Sequence, residues 1–261
     1  MSNTPGVERA TLHAELQAEL QSTQQQLAAA RAAIGDFAYT VSHDLRAHVR
    51  HIQAYAGIVR EDWPQAPADA LGHLDTITQA AQALGRQIDG LMAWAQLDRV
   101  PLALGVLDLP ALIAQARQAA TEAMPQPSQH QVDWHLSPDW PTVRGDAGLV
   151  SQLLGHLFAN ALKFTRPRAR AEIAVGWQPS DAREPDGQCT LFVRDNGVGY
   201  NPQGQDKLFH VFQRLHSARE FEGQGLGLAL ARKIVQRHGG AISAEGAPDQ
   251  GCCIRFTLPR A

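Results

Sequence analysis

A histidine and an aspartate stand side by side at His43 and Asp44, within the run Phe37–Ala47. Histidine is largely neutral at cellular pH, so a free ring nitrogen can attack an electrophilic centre. The carboxylate of Asp44 could hold the other ring nitrogen and accept its proton. On most helices such a pair is only part of a solvated surface, so its meaning depends on the residues downstream.

Two glycine-containing motifs downstream have the composition of a nucleotide pocket. Asp195–Gly199 leaves a predicted strand, and Gly223–Ala229 opens a predicted helix. Glycines at a helix N-terminus let backbone amides and the helix dipole approach phosphate. Either motif alone is weak, since glycine marks turns more often than phosphates. Together, after a helix with His156, Asn160 and Lys163 on one polar face, they suggest phosphoryl transfer from a bound nucleotide to a histidine.

The elements that must position His43 are two long helices. From Glu8 to Arg60 apolar or small residues recur every three or four positions without an internal proline, which predicts one amphipathic helix. The run Glu61–Pro67 breaks it, and a second amphipathic helix is predicted from Ala68 to Leu97. His43 lies about 200° from the nearest residues of the apolar stripe, so we expect it to face solvent.

Two such helices form a hairpin whose apolar stripes need a cover. A homodimer that joins two hairpins into a four-helix bundle is the economical way to bury them. Residues 35–100 are therefore predicted to form an α-helical dimerisation domain that carries the histidine. Residues 1–34 are rich in Gln and Ala and predict a coiled-coil linker, through which an upstream sensor module or a partner would act.

The pattern changes after residue 101, where short strands alternate with helices. This order predicts an α/β two-layer sandwich over residues 101–261, with one mixed sheet covered by helices and an irregular segment at 200–224. The runs 124–128 and 178–188 are predicted loops. Strands are predicted at 102–109, 131–136, 171–177, 190–194, 240–245 and 252–258, and helices at 110–122, 146–164 and 226–238.

The bulk composition excludes several classes of protein. With 261 residues, a net charge of −3 and a pI near 6.4, the chain has no bulk attraction for nucleic acid or anionic membranes. No run reaches the roughly 20 apolar residues that a membrane span needs. The first residues lack the order of a signal peptide, and three cysteines without metal-ligand spacing indicate reduced thiols. We therefore expect a cytoplasmic location.

Five motifs in this order resemble the transmitter of a two-component sensor histidine kinase. The run Ser42–Arg46, followed by Arg50–Ile52 and Tyr55, is similar to the phytochrome-like branch of that family. The resemblance covers about residues 35–258 and implies the Bergerat ATP-binding fold for the second domain. Its motifs are the H-box Phe37–Arg46, the N-box Leu153–Thr165, the G1 box Val193–Gly199, the F-box Lys207–His216 and the G2 box Gly223–Ala229.

The resemblance implies a role for each candidate residue. His43 would be the phosphoacceptor and Asp44 its base partner, in a kinase that passes the phosphoryl group to the receiver domain of a response regulator. Asn160 would ligate Mg²⁺, and Lys163 would reach the phosphates of ATP. Asp195 would accept a hydrogen bond from the adenine amino group.

The remaining implied roles belong to the glycines and the lid. Gly197 and Gly199 would allow close approach of the adenine. Residues 200–224 would form the ATP lid, with Arg214 as a candidate phosphate contact. The glycines that would hinge the lid and cradle phosphate are Gly223, Gly225 and Gly227.

Three positions depart from the family pattern. The N-box has His156 where asparagine is usual, and Mg²⁺ prefers oxygen ligands. The H-box has His48 where proline is common, which predicts a straighter helix after His43. Ala47 stands where threonine or asparagine often orients a hydrolytic water, so we expect weak phosphatase activity towards the regulator.

Two other functions remain open. A degenerate transmitter would bind nucleotide poorly and act as a dimeric scaffold or phosphotransfer adaptor, and His156 and His48 are the reason to consider it. An ATPase related to gyrase would use nucleotide to drive a conformational change. That hypothesis leaves the His43–Asp44 pair unexplained, and the chain lacks a transducer domain.

Overall fold

The computed structural model describes residues 4–124, 131–178, 187–217 and 220–261. The chain divides into two compact units between Arg99 and Val100, and each unit is described by itself. Most of the two predicted loops, at 124–128 and 178–188, lies outside the described residues.

The first unit is a helical hairpin. Helix α1 spans Thr4–Asp62 and helix α2 spans Ala68–Gln96. α1 ends just before Pro64, where the missing backbone N–H ends the helical hydrogen-bond pattern, and Pro67 immediately precedes α2. The predicted bounds, 8–60 and 68–97, differ from these by no more than four residues.

The two helices meet along a narrow apolar seam. Val49 of α1 packs with Ala81 and Ile88 of α2. Three ion pairs tie the helices together at the edges of this seam: Arg46 with Asp89, Arg60 with Asp75, and Arg99, which follows α2, with Asp36. Exposed pairs of this kind contribute at most about 1 kcal/mol each, so apolar contact is the main source of stability.

Most of the predicted apolar stripe stays exposed within one chain. Phe37 and Tyr55 keep 70% and 66% of their surface accessible, far more than apolar side chains in a folded core. A single hairpin has no layer to place over this face. The other large exposed apolar side chains of the two helices include Leu16, Leu20, Leu27, Ile34, Val41, Leu45, Ile52, Ile58, Val59, Ile77 and Leu84.

The second unit is an α/β sandwich with a mixed five-stranded sheet, which confirms the predicted fold. The strand order is β2-β4-β5-β7-β6, with β2 and β4 parallel and the other pairs antiparallel, and β1 pairs separately with β3. The strands are β1 Leu104–Val106, β2 Val132–Leu136, β3 Arg144–Asp146, β4 Ala171–Gln178, β5 Gln188–Asp195, β6 Ile242–Gly246 and β7 Cys252–Pro259. The helices are α3 Leu109–Glu122, α4 Ala147–Thr165 and α5 Gly227–Arg237.

Helix α4 is the centre of this unit, because it packs against α3, α5 and strands β4 and β5. Its buried face includes Leu153, Leu157 and Phe158, all at most 2% exposed. The Phe158 ring meets Trp134 of β2 edge to face at 5.1 Å. The polar stripe of α4 lies on the other side, so the packing of this face sets where the polar side chains point.

Two short strands differ from the sequence prediction. The strand predicted at 102–109 is only β1, Leu104–Val106, because Asp108 already caps α3 by accepting from the Ala111 N–H at 3.1 Å. Strand β3 was not predicted. It is three residues long and exists through its pairing with β1, which no local periodicity signals.

Asp146 begins α4 and has more backbone partners than an ordinary cap. Its Oδ1 accepts from the Leu149 N–H at 3.0 Å, and its Oδ2 accepts from the Ala103 N–H at 2.9 Å. Its own N–H donates to Nε2 of the buried His238 at 2.9 Å. The hydrogen bond from Ala103, more than any other contact, lowers the pKa of the Asp146 carboxyl.

Replacing this cap should destabilise the second unit. Asp146→Ala removes two accepted hydrogen bonds, and we expect a loss of roughly 1–3 kcal/mol in the free energy of unfolding, by urea titration followed by tryptophan fluorescence. Because the folded pKa of Asp146 lies below its ordinary value of 3.8, its contribution is complete above that value and is lost as the pH falls below it.

The matched control is Asp108→Ala, which removes the cap of α3 with its single accepted hydrogen bond. It should cost less than Asp146→Ala at neutral pH. Equal losses for both variants would contradict the added weight assigned to the Ala103 contact.

Candidate functional site

His43 lies on the solvent-facing side of α1. Its side chain is 65% exposed, whereas the neighbouring Ser42 is buried towards the hairpin. The Nδ1 atom of His43 is 3.4 Å from Oδ1 of Asp44, a long hydrogen bond that favours a proton on Nδ1 and a lone pair on Nε2. No other polar contact of this ring is found among the described residues, so Nε2 is accessible for reaction.

The surroundings of His43 on α1 include two of the departures noted in the sequence. α1 is continuous through Ala47 and His48, and the His48 side chain is exposed. Arg46 is held by α2, since it pairs with Asp89 and donates to the Met92 sulfur at 2.9 Å. Its guanidinium is therefore a structural link within the hairpin.

Three polar side chains project from α4 at one-turn intervals: His156, Asn160 and Lys163. All three are half-buried, and none of their polar ends makes a hydrogen bond to another described residue. The ammonium of Lys163 lies 4.4 Å from the centre of the Phe164 ring. Burial lowers the pKa of His156 and, as the largest effect, that of Lys163.

The glycines of the G2 box leave room beside these side chains. A Cβ atom built on Gly227, the first residue of α5, would lie 3.7 Å from Nδ1 of His156 and 3.9 Å from Nδ2 of Asn160. A Cβ on Gly223 would lie 3.3 Å from Nζ of Lys163. The N-terminus of α5 and the polar stripe of α4 therefore face the same space.

Asp195 is the candidate adenine ligand, and it lies beyond the space between the α4 stripe and α5. It is the last residue of β5, and its Oδ1 accepts from the N–H groups of Gly197 at 2.9 Å and Cys252 at 3.3 Å. Its Oδ2 accepts no hydrogen bond from the described residues. Burial raises the pKa of Asp195 to about 6, and burial also raises the pKa of the Cys252 thiol beside it.

The turn after Asp195 requires glycine at two positions. A Cβ on Gly197 would lie 2.7 Å from the Phe164 carbonyl oxygen, and one on Gly199 would lie 1.9 Å from the Ala247 carbonyl oxygen. Gly199 also has a φ of +64°. The Val198 N–H donates to Phe164 O at 3.1 Å, so this turn lies against the end of α4, one residue beyond Lys163.

Arg168 holds the same turn in place, and the sequence reasoning missed it. Its guanidinium donates to the carbonyls of Asn196, Gly197 and Asp249 at 2.9, 2.9 and 3.0 Å. These partners are 28 to 81 residues away along the chain, so no local sequence pattern predicts the contacts. Arg168 fixes the backbone around Asp195 without lying on the polar stripe.

The described part of the 200–224 segment is also anchored to the pocket. His216 Nε2 lies 2.8 Å from Gly199 O. The rings of Phe164, His216 and Phe221 form a cluster with centroids 5.1 to 5.2 Å apart. Arg214, the predicted phosphate contact, donates to the Phe221 carbonyl oxygen.

Gly225, which was expected to hinge the lid and cradle phosphate, contacts residues 212 and 213 of the 200–224 segment. Its carbonyl accepts from the Phe212 N–H at 2.9 Å, its φ is +70°, and a Cβ there would lie 2.4 Å from Gln213 O. A side chain at this position would push the segment away from α5. The structure thus brings together Asn160, Lys163, Gly223 and Gly227, and joins them to the Asp195 turn through Phe164.

The sequence comparisons agree with this geometry. Residues 145–261 match the family described as histidine kinase-, DNA gyrase B-, and HSP90-like ATPase. The chain is 32% identical over 242 residues to the methanogenesis regulatory histidine kinase FilI of Methanothrix harundinacea, covering 92% of this chain and 26% of FilI. It is 31% identical over 248 residues to cyanobacterial phytochrome B of Nostoc sp., covering 94% and 31%. The chain thus spans about a quarter to a third of the length of these curated relatives.

Two solved structures share the fold. Full-length ShkA in complex with AMPPNP gives a TM-score of 0.62 at 22% identity, over 87% of this chain and 46% of ShkA. The Acinetobacter baumannii histidine kinase AdeS gives 0.55 at 17% identity, over 84% of this chain and 98% of AdeS. Within the described part of the chain, no helix has the length and apolar character of a membrane span.

The contact between His216 and Gly199 predicts how firmly the segment is held. His216→Ala removes one hydrogen bond and two ring contacts, which should speed local opening about tenfold. Amide hydrogen exchange of peptides from residues 200–224 would measure it. His210→Ala is the control, because His210 lies exposed on the same segment, and equal exchange in the two variants would refute the anchoring role.

Proposed function

Because this chain belongs to the sensor histidine kinases, and its similarity to cyanobacterial phytochrome B supports the phytochrome-like branch, we propose that it binds ATP and phosphorylates His43. The phosphoryl group then passes to an aspartate in the receiver domain of a response regulator. The observation that carries the proposal is the row of three half-buried side chains on α4 whose polar ends have no hydrogen-bond partner among the described residues. Such groups call for a polar ligand.

The Asp195 end of the pocket fits an adenine. Oδ1 is occupied by two backbone N–H groups, while Oδ2 is left to accept a hydrogen bond from the adenine amino group. At neutral pH the carboxyl is ionised, since its pKa is about 6. The glycines at 197 and 199 let the turn pack against the carbonyls of Phe164 and Ala247, which would keep the backbone beside Asp195 in place for the adenine.

The α4 end fits the phosphates. The Lys163 ammonium beside Gly223 would bind phosphate oxygens, and the N-terminus of α5, which faces the same space, would favour the same anion. Asn160 offers a carboxamide oxygen, a ligand type that Mg²⁺ accepts, and bound Mg²⁺ would neutralise charge on the phosphates. Arg214 donates to the Phe221 carbonyl from one terminal nitrogen, and its other N–H groups would be the donors to phosphate.

His43 supplies the nucleophile. Its Nε2 lone pair forms a bond to the γ-phosphorus as the bond to the β,γ-bridging oxygen breaks, and ADP leaves. The ring becomes positively charged, and Asp44 accepts the Nδ1 proton through the 3.4 Å contact. In the second step Asp44 returns the proton to Nδ1, the regulator's carboxylate attacks phosphorus, the P–N bond breaks, and neutral histidine is restored.

The exposed stripe of the hairpin supports a homodimer. Phe37, Ile34, Val41 and Leu84 would be buried when two hairpins pack as a four-helix bundle. At about 25 cal/mol per Å² of apolar surface removed from water, this burial would stabilise both chains. The relatives are longer than this chain, and an upstream sensor or partner would act through the N-terminal part of α1. We further propose a cytoplasmic location, where ATP would be available for the reaction.

One observation favours an alternative. His156 occupies the N-box position where this family usually has asparagine, and a pocket that binds metal-nucleotide poorly would leave a dimeric scaffold or phosphotransfer adaptor. The scaffold would lack autophosphorylation while keeping the dimer. Labelling with ATP separates the two functions.

Incubation with γ-labelled ATP and Mg²⁺ should give acid-labile, base-stable label on the wild-type protein. His43→Gln should abolish it, because the nucleophile is lost, and Asn160→Asp should reduce it at least tenfold. His51→Gln is the control, as His51 is an exposed histidine on the same helix. If the wild-type protein binds nucleotide but takes up no label, the scaffold function replaces the kinase function as the proposal.

The raised pKa of Asp195 predicts a pH-dependent affinity for adenine nucleotides. Since Oδ1 is held by two N–H donors, protonation falls on Oδ2, which then presents a hydrogen to the amino group. Affinity should therefore weaken as the pH falls through about 6, by up to tenfold per pH unit. The Cys252 thiol stays protonated throughout, because burial raises its pKa.

Two controls isolate this effect from titration of the phosphates. Asp195→Asn should bind more weakly and lose the additional pH slope. The inosine nucleotide, with a carbonyl in place of the amino group, should show the opposite trend on the wild type. Calorimetric affinities between pH 5 and 8 would test both, and parallel curves for the two nucleotides would contradict the contact.

A further inference from the structure

We infer that His156 is a nitrogen ligand for the divalent cation that accompanies the nucleotide, and that it shifts the pocket's preference from Mg²⁺ towards first-row transition cations. The inference rests on the proposed function, since it concerns the same pocket. It assigns a role to the residue at which this chain departs from the usual N-box.

The geometry places His156 beside the proposed metal ligand. His156 and Asn160 are four residues apart on α4, the spacing at which two helical side chains share one face and can hold one metal ion. Nδ1 of His156 and the Asn160 amide nitrogen lie 3.7 and 3.9 Å from the same point, the Cβ position that Gly227 leaves empty. Rotation of the amide about its terminal bond brings its oxygen to that side.

His156 differs from the histidines that serve the fold. His238 is buried with both ring nitrogens bonded, Nδ1 to Ile234 O at 2.8 Å and Nε2 to the Asp146 N–H at 2.9 Å. His216 is bonded to Gly199 O. His156 is half-buried, yet neither of its nitrogens has a hydrogen-bond partner among the described residues. A polar group held in this way, facing a proposed phosphate site, is suited to a ligand rather than to the core.

Ligand chemistry gives the direction of the selectivity. Mg²⁺ takes oxygen ligands in strict octahedral geometry and gives up its waters reluctantly. An imidazole nitrogen binds cations more tightly along the series from Mn²⁺ through Co²⁺ to Ni²⁺. One carboxamide oxygen, one imidazole nitrogen and phosphate oxygens form a mixed donor set. We therefore expect this set to favour Co²⁺ and Mn²⁺ over Mg²⁺ relative to the same pocket with asparagine at 156.

The test measures binding, with the chain of 261 residues and the β,γ-methylene analogue of ATP, which cannot be cleaved. Calorimetric dissociation constants with Mg²⁺, Mn²⁺ and Co²⁺ give the selectivity. The ratio of the Mg²⁺ value to the Co²⁺ value should fall about tenfold or more in His156→Asn. His135→Asn, a change at an exposed histidine of β2, should leave the ratio unchanged.

A spectroscopic readout identifies the ligand directly. Pulsed electron paramagnetic resonance of the Mn²⁺ complex should show a nitrogen coupling that changes in protein labelled with ¹⁵N-histidine. The coupling should disappear in His156→Asn and persist in His135→Asn. Coordination by an adenine nitrogen would not respond to the protein label.

The outcomes distinguish failure of the His156 inference from failure of the proposed kinase function. An analogue that binds equally well with Mg²⁺ and Co²⁺ in both proteins, without a ¹⁵N-sensitive coupling, would overturn this inference and leave the proposed kinase function intact. Absence of analogue binding with every cation, in folded protein, would overturn the proposed function and this inference with it. A selectivity shift with the labelled coupling would establish His156 as the ligand.

Discussion

The packing of α4 is the interaction on which the second unit depends. Its apolar face meets α3, α5 and the sheet, and this contact leaves the opposite side no freedom to rotate. A turn of 100° that put Asn160 in the place of the buried Ala161 would move Phe158 to the exposed position of Ala159, at a cost of several kcal/mol for the phenylalanine and the unsatisfied amide together. The position of the proposed phosphate and metal ligands is therefore a consequence of core packing. The cap at Asp146 adds to this by fixing where the helix begins.

A second constraint is that glycine backbone forms part of the candidate site. A Cβ atom at Gly199 would collide with the Ala247 carbonyl. A Cβ atom at Gly227 would enter the space beside His156 and Asn160. Backbone turns are flexible unless other contacts restrain them. Here the Arg168 hydrogen bonds and the Phe164–His216–Phe221 ring cluster provide that restraint. These residues need not touch a nucleotide. They limit the motion of the groups that would, which is how a loop-built site reaches useful precision.

The sequence predicted the elements whose signals are local. The spacing of α1 and α2, the capping residue at Asp146 and the stripe of His156, Asn160 and Lys163 are all periodic or adjacent in the chain, so they could be read directly. Strand β3 and the contacts of Arg168 could not. They exist because distant segments meet, and a three-residue strand has too few positions to show a period. The hydrogen bond from Arg214 to the Phe221 carbonyl is of the same kind, because the family resemblance assigned Arg214 to phosphate and gave no sign of this contact.

Unsatisfied groups lie in both candidate functional regions, and they carry a cost in stability. On α1 the cost comes from apolar surface left in water around Phe37. On α4 it comes from half-buried polar atoms that have no hydrogen-bond partner among the described residues. Selection for folding stability alone would remove both features. A polar residue at the exposed positions of α1 and an apolar residue at the half-buried positions of α4 would give a more stable fold. The buried and fully bonded His238 shows that this fold readily satisfies a histidine where no ligand is needed. His156 lies two turns into the same helix that His238 helps to start, and it has no hydrogen bond to any described residue. This contrast supports the inference that the partner of His156 is a ligand.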